Sequence, residues 1–269
     1  MNALPNTHDQ YVLSGEQVDF FRENGFLQVN DVLAEEEIVE LKGYMEEAMT
    51  QELADGNTLH KDRNRPNGGY SRVLNQVVNC WRDHAGVARY TSDKRLAGMA
   101  KQLAGASSIR LFHDHALWKM PNDSKPTPWH QDFPFWPMNE PGGLSIWIAL
   151  DDVDENNGCM MFVPRSHKAG KFPATPLNGA IDVYHYVQDH DIKNVQPVIC
   201  RMKAGGCTFH HGLTFHYAHA NTTAQPRRAF AIIYMPDGTT YNGKPHVVTE
   251  SLKPQMSQPI VGSLCPILA

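Results

Sequence analysis

Several absences narrow the reading of this 269-residue chain before any motif is considered. No apolar stretch approaches the length of a membrane span. No run or stripe of Lys and Arg stands out, and the formal charge is −5, with 24 basic and 29 acidic residues mixed along the chain. Nucleic acid is therefore not an expected partner. There are only five cysteines, an odd number, and none form a CxxC pair. This argues against a disulfide framework or a structural zinc site and for reduced, buried thiols in a cytoplasmic protein. Residues 1–10 lack the basic-then-apolar order of a signal peptide. Internal repeats and low-complexity tracts are missing too. What remains is ordinary globular composition, 41% hydrophobic and 20% charged, enough for a sizeable core.

The first hundred residues read as helical. Ser14-Gly-Glu-Gln17 forms a capping box that opens a helix ending near Gly25. Residues 26–32 alternate like a short strand. Ile38, Leu41, Met45 and Met49 then make one apolar stripe of a longer helix. Residues 55–69 are polar and Gly/Asn-rich, as in a loop. Residues 92–104 predict another amphipathic helix, with Gly105 as its stop. From residue 109 the pattern turns to β, with strands predicted at 109–120, 144–150, 159–163, 197–202, 207–215 and 228–234. Pro-, Gly- and Asn-rich turns separate them. Helices first and strands later imply an α+β fold, with helices packed on a β-sandwich or barrel. One domain is expected: a helical part at 14–105, a barrel core at 109–236 and an irregular tail at 237–269. Residues 168–194 are weakly periodic and read as a lid or an ordinary insertion.

Chemistry concentrates in two places. His130-Gln-Asp132 offers an imidazole and a carboxylate two residues apart, which a strand would point to one side. Pro126 and Pro128 favour an extended backbone there. Downstream, His210, His211, His216 and His219 cluster ahead of Asn221 and Arg227. With His216 the set becomes two histidines and one carboxylate, the facial triad of non-haem Fe(II) oxygenases, which leaves open positions on the metal. On a strand, His211 and His219 are alternative third ligands, and the other histidines of the cluster read as packing residues. Arg227 has the planar fork that holds a carboxylate. His113-Asp-His115 leaves open a different site, that of a cupin-type enzyme using metal without 2-oxoglutarate. A non-catalytic small-molecule-binding barrel is a further alternative.

Taken in order, Pro128-Trp-His-Gln-Asp132, Trp147-Ile-Ala-Leu-Asp-Asp152, Asn157-Gly158, Val163-Pro-Arg-Ser-His167, and His216 with Asn221 and Arg227 resemble the pattern of the phytanoyl-CoA dioxygenase family. The resemblance runs from about Ser14, through Glu23-Asn-Gly-Phe-Leu27, to about Tyr234. It implies a double-stranded β-helix, a jelly-roll, cupin-like barrel with flanking N-terminal helices. It also implies an Fe(II)- and 2-oxoglutarate-dependent dioxygenase that hydroxylates a small organic substrate with O2, releasing succinate and CO2. His130, Asp132 and His216 fall on the iron ligands, Arg227 on the partner of the distal 2-oxoglutarate carboxylate, and Trp147 on the cofactor-pocket wall. His115 and Thr127 fall where the family contacts the co-substrate. Arg72, in Ser71-Arg-Val-Leu-Asn75, resembles a basic position that also reaches it, with a surface charge as the alternative. Two positions depart from the pattern: Ala218 replaces a small hydroxyl residue, and Arg165 replaces a glycine. A halogenase of this class needs a small residue in place of its carboxylate, so Asp132 favours hydroxylation. Phe133, Phe135, Trp136, Met138, Tyr184, Tyr186 and Tyr217 are candidate walls of a partly apolar substrate pocket, or else core.

Overall fold

Ser14 starts the architecture as its spacing predicts. Its hydroxyl accepts from the Gln17 amide while the Gln17 side chain accepts from the Ser14 N–H, and helix α1 (Gly15–Asn24) follows. Gly25 ends the helix in the left-handed region, at φ 81°. A side chain at Gly25 would also collide with His167 and Thr214. The computed structural model describes residues 11–54, 75–121, 124–174 and 191–269.

Strand β1 (Phe26–Val29) leads to helix α2 (Glu35–Ala54), whose predicted stripe of Ile38, Leu41, Met45 and Met49 is buried. Strand β2 (Asn75–Val78) and the short helices α3 (Cys80–Asp83) and α4 (Ala85–Thr91) precede α5 (Lys94–Ala104), which is capped by Asp93 and Gly105. The remaining strands are β3 (Ile109–Lys119), β4 (Thr127–His130), β5 (Leu144–Ala149), β6 (Met160–Phe162), β7 (Val198–Cys200), β8 (Cys207–His211), β9 (His216–Ala218) and β10 (Arg227–Pro236). They form a six-stranded sheet in the order β1-β8-β5-β10-β3-β2 and a four-stranded sheet in the order β4-β9-β6-β7. Every pairing is antiparallel, giving the jelly-roll with flanking helices.

Strand alternation assigns the two faces of the large sheet. On β5, Ile146 and Ile148 pack under the helices with Leu41, Leu96 and Phe230, while Trp147 and Ala149 face the small sheet with Met160, Phe162 and Ala231. Covered on both sides, β5 reads as a continuous apolar run. On β3 the register shifts between Ile233 and Tyr234 of β10, leaving Phe112 as the extra residue. That bulge sets His113, His115, Leu117 and Lys119 on one face of the strand.

Three expectations change. The predicted strand 207–215 breaks at Gly212, where the chain crosses from the large sheet to the small one and His216 opens a strand of its own. Gly212 is needed because a Cβ there would lie 2.5 Å from the Trp136 ring. The elements β2, α3 and α4 have no counterpart in the sequence reading. The tail is irregular yet packed: Val248, Ile260 and Cys265 are buried with Phe112, Phe133, Trp136 and Met138. Those three aromatic and Met positions after Asp132 are therefore core. Of residues 168–194, short 3-10 turns cover Ser166–Ala169 and Asp191–Asn194. Residues 175–190, with Tyr184 and Tyr186, and the predicted loop 55–69 lie outside the described residues.

Candidate active site

His130 is the last residue of β4 and pairs in register with His216, the first of β9. Their rings lie 4.1 Å apart between centroids. Each turns its Nδ1 to a backbone carbonyl two residues earlier, His130 to Pro128 at 2.8 Å and His216 to Thr214 at 3.0 Å. A carbonyl only accepts, so Nδ1 carries the proton in both rings and each Nε2 presents a lone pair. Both Nε2 atoms face Asp132 Oδ1, at 3.5 Å each. The three donor atoms lie within 4.8 Å of one another. Three acceptors aimed at one point repel unless a cation sits between them, so the set fits a divalent metal. The ionisation states agree. Burial and the neighbouring His130 push His216 well below the usual imidazole range, keeping it neutral. Burial opposes the charge on Asp132, but His216, His130 and His210 outweigh it and hold the carboxyl well below its ordinary value.

Asp132 does not reach this point by strand alternation. Its backbone is helical (φ −75°, ψ −43°), at the start of a 3-10 turn over Phe133–Phe135. A strand end and a turn together bring the pair into convergence. Asp132 Oδ2 accepts from Ser145 Oγ at 2.9 Å and meets His210 Nε2 at 3.2 Å. Gln131 points away, as expected. Its amide donates to the carbonyls of Gly170 and Leu213 and accepts from the Phe172 N–H.

A second focus lies along β5. Two residues beyond Ser145 on the same face, Trp147 lies under the guanidinium of Arg227, whose Cζ is 5.3 Å from the ring centroid. Arg227 is 2% exposed. Its Nη1 donates a long bond to the Leu117 carbonyl (3.4 Å), and Nε has no hydrogen-bond partner among the described residues. Burial pushes its pKa down to about 10. Opposite it in the β10–β3 register stands Lys119, fully buried, with Nζ donating to the carbonyl of Lys125 at 2.8 Å. Burial first, and then the charge of Arg227, push Lys119 down to about 6. A buried guanidinium that forms no ion pair with a described carboxylate, beside an amine that an incoming anion would charge, fits a dicarboxylate such as 2-oxoglutarate.

Residues 21–229 match the family described as Phytanoyl-CoA dioxygenase (PhyH). The chain belongs to the phytanoyl-CoA dioxygenase family. It is 29% identical over 243 residues to the rat (Rattus norvegicus) "Phytanoyl-CoA dioxygenase, peroxisomal", covering 85% of this chain and 70% of that protein. Among solved structures it resembles the non-heme alpha ketoglutarate dependent carbocyclase SnoK from nogalamycin biosynthesis, with TM-score 0.80, 30% identity, and coverage of 96% of this chain and 97% of that one. It also resembles the epimerase SnoN in complex with Fe3+, alpha ketoglutarate and nogalamycin RO, with TM-score 0.76, 29% identity, and coverage of 94% and 98%. This member of the family is an Fe(II)- and 2-oxoglutarate-dependent dioxygenase.

The other positions suggested by the family pattern divide. Thr127 pairs across β4–β9 with Ala218, so the two positions singled out by the family pattern are neighbours. His115 stacks on His113 at 4.4 Å and on the same face of β3. Arg72 lies outside the described residues. Arg165 adopts φ 64°, a left-handed conformation in which the glycine expected from the family pattern would be unstrained. Arg228, beside Arg227, points elsewhere and is neutralised by Asp151 (2.9 and 3.0 Å) and Glu46. His113-Asp-His115 forms no second metal site among the described residues. The Asp114 carboxylate instead takes the Trp81 N–H and the Thr91 hydroxyl. Among the downstream histidines, His211 accepts from the Leu213 N–H and His219 packs edge-on against Tyr217, and neither joins the group that converges on Asp132. The alternation of His115, Leu117 and Lys119 places Lys119 on the inward face of its strand, but sequence reasoning missed its position opposite Arg227, and it missed the contact of His210 with Asp132. That alternation was the available signal for Lys119. For His210 there was none beyond the cluster itself.

Proposed function

We propose that His130, Asp132 and His216 ligate the iron and that Arg227 anchors the distal carboxylate of 2-oxoglutarate. In the same proposal Trp147 forms a wall of that pocket, and Thr127, His115 and Arg72 complete the co-substrate contacts. The observation that carries the reading is the convergence of two imidazole Nε2 atoms and one carboxylate oxygen on a common point. When bound, iron and 2-oxoglutarate supply oxidative decarboxylation with O2, yielding succinate, CO2 and the oxidising power to functionalise a C–H bond.

The residues of the chain do the rest. The triad leaves one side of the metal free for co-substrate and O2. Arg227 fixes 2-oxoglutarate from its far end, and the dry surroundings of Trp147 strengthen that charged bond. The retained carboxylate at Asp132 supports hydroxylation of an aliphatic carbon over halogenation. Phe135, edge-on to His130 at 6.4 Å, gives the metal site an apolar neighbour and supports a partly apolar small substrate. In this reading the whole chain works as one oxygenase unit in the cytoplasm, without a nucleic-acid partner. No helix among the described residues is long and apolar enough to cross a membrane.

An anaerobic titration with Fe(II) and then 2-oxoglutarate tests the assignment. A saturable visible charge-transfer band, lost in Asp132→Ala and His216→Ala, is the expected result. A band of wild-type intensity in both variants would refute the triad.

A further inference from the structure

Asp132 has to present one oxygen to the metal and keep the other away, yet its own backbone does little to orient it. It sits in a turn beyond the end of β4, and its side chain makes no capping hydrogen bond. Its hold comes from the opposite sheet. Ser145 on β5 and His210 on β8 are directly paired in register. Both reach the same oxygen, Oδ2, at 2.9 and 3.2 Å. Oδ1 is left to face the two imidazoles, at 3.5 Å from each Nε2.

The protonation of His210 follows from its surroundings. Its Nδ1 is buried and has no hydrogen-bond partner among the described residues. A proton there would be an unsatisfied buried donor, and Nε2 would then turn a lone pair against a carboxylate oxygen. The ring satisfies its contacts only as the Nε2–H tautomer, donating to Oδ2. Contacts with Phe162 (5.3 Å) and His216 (4.5 Å) fix its orientation. It is 3% exposed, so water does not substitute for it readily.

We propose that His210 and Ser145 are positioning residues that hold Asp132 as a one-oxygen ligand. The proposal rests on the reading of Asp132 as an iron ligand. Its consequence is a matter of counting. An iron held by two imidazoles and one carboxylate oxygen would keep positions open for 2-oxoglutarate and O2. A carboxylate that also delivered Oδ2 would take one of them. With both hydrogen-bonding directions of Oδ2 occupied by donors from β5 and β8, that second attachment is blocked.

The test compares His210→Phe, His210→Gln, Ser145→Ala, the His210→Phe/Ser145→Ala double variant and Asp132→Ala with the intact protein. The readouts are Fe(II) affinity under anaerobic conditions, the position of the Fe(II)·2-oxoglutarate band, and the thermal midpoint of the metal-free protein. His210→Phe and Ser145→Ala should each weaken Fe(II) binding about tenfold, within the range for lost outer partners of metal ligands. The double variant should lose more than either and shift the band. His210→Gln keeps an N–H donor and should restore affinity to within about threefold, since one charge-assisted bond is retained. A purely packing role for His210 would lower the midpoint in both His210 variants and leave Fe(II) affinity and the band unmoved in Ser145→Ala. If His210→Phe fails to fold, Ser145→Ala carries the same comparison, because it removes only a hydroxyl. Wild-type Fe(II) affinity and band in the double variant, with iron lost in Asp132→Ala, would overturn the positioning role alone. Wild-type affinity in Asp132→Ala would overturn the ligand reading instead.

Discussion

Replacing Arg227 with methionine should make the ligand-free protein more stable and the co-substrate complex much weaker. Burial lowers the guanidinium pKa to about 10. At about 1.4 kcal/mol per pKa unit, keeping that charge in an empty pocket costs about 3 kcal/mol. Methionine has similar length and carries no such cost. It also forfeits the Trp147 contact, worth about 1–2 kcal/mol in a desolvated setting. The net gain is then about 1–2 kcal/mol, or a rise of about 2–4 °C in the midpoint for a chain of this size. With 2-oxoglutarate present the sign reverses. A buried carboxylate left without its partner costs about 3–5 kcal/mol. That corresponds to about a hundred- to several-thousand-fold in Kd. Calorimetry of the metal-loaded protein with and without 2-oxoglutarate reads both effects, with Mn(II) in place of iron to avoid turnover. A lower ligand-free midpoint, together with an undiminished shift on adding 2-oxoglutarate, would refute the reasoning.

Lys119, with a pKa of about 6, is neutral in the ligand-free protein at pH 8, and a dianion bound near Arg227 should raise it. Calorimetry of 2-oxoglutarate binding in buffers of different ionisation enthalpy should then show uptake of close to one proton at pH 8, abolished in Lys119→Met; no uptake in the intact protein would place Lys119 outside the pocket's field. Burial raises the Asp114 carboxyl to about 7, against the hydrogen bond from Thr91 and others that lower it. The folded protein therefore keeps a proton that the unfolded chain has lost, so this contribution is complete below about pH 4 and vanishes as pH rises through 7, by up to about 4 kcal/mol. Asp114→Asn should flatten the dependence of urea-unfolding free energy on pH between 4 and 8, and an unchanged slope counts against the assignment. Gly158 sits at φ 89°, where a Cβ would lie 2.4 Å from the His219 carbonyl oxygen and 3.0 Å from Lys119 Cδ. Gly158→Ala should cost about 2–4 kcal/mol in urea unfolding, from left-handed strain plus overpacking, and a loss under about 0.5 kcal/mol would contradict that geometry.

The convergence of His130, Asp132 and His216 was legible because ligand chemistry restricts residue type: only a few side chains suit a divalent metal, and the structure brings these three donor atoms together. The stripe of α2 and the cap at Ser14 were legible because local periodicity and local hydrogen bonds set them. The route by which Asp132 reaches the site was not, since a turn and a strand can place the same residue at the same point. The break at Gly212 was hidden because residues 207–215 keep a β-like composition across a change of sheet. The small helices α3 and α4 span four and seven residues, too few for a periodic signal. His210 and Lys119 illustrate a further limit. Their environments come from register, Ser145 opposite His210 and Arg227 opposite Lys119, and register is a property of two strands together.

Gln131, the residue between two proposed ligands, acts as a bolt. One amide ties the turn after β4 to the carbonyls of Gly170 and Leu213 and to the N–H of Phe172. The approach to residues 175–190 is thus fastened to the ligand turn at its near end, whatever follows. A glutamate would lose both donors, and an asparagine would fall short of the reach. An exchange of chain that begins after Phe172 leaves the bolt in place, whereas one that begins before Gly170 puts two of its three contacts at risk and leaves only the Leu213 carbonyl to hold the turn that carries Asp132.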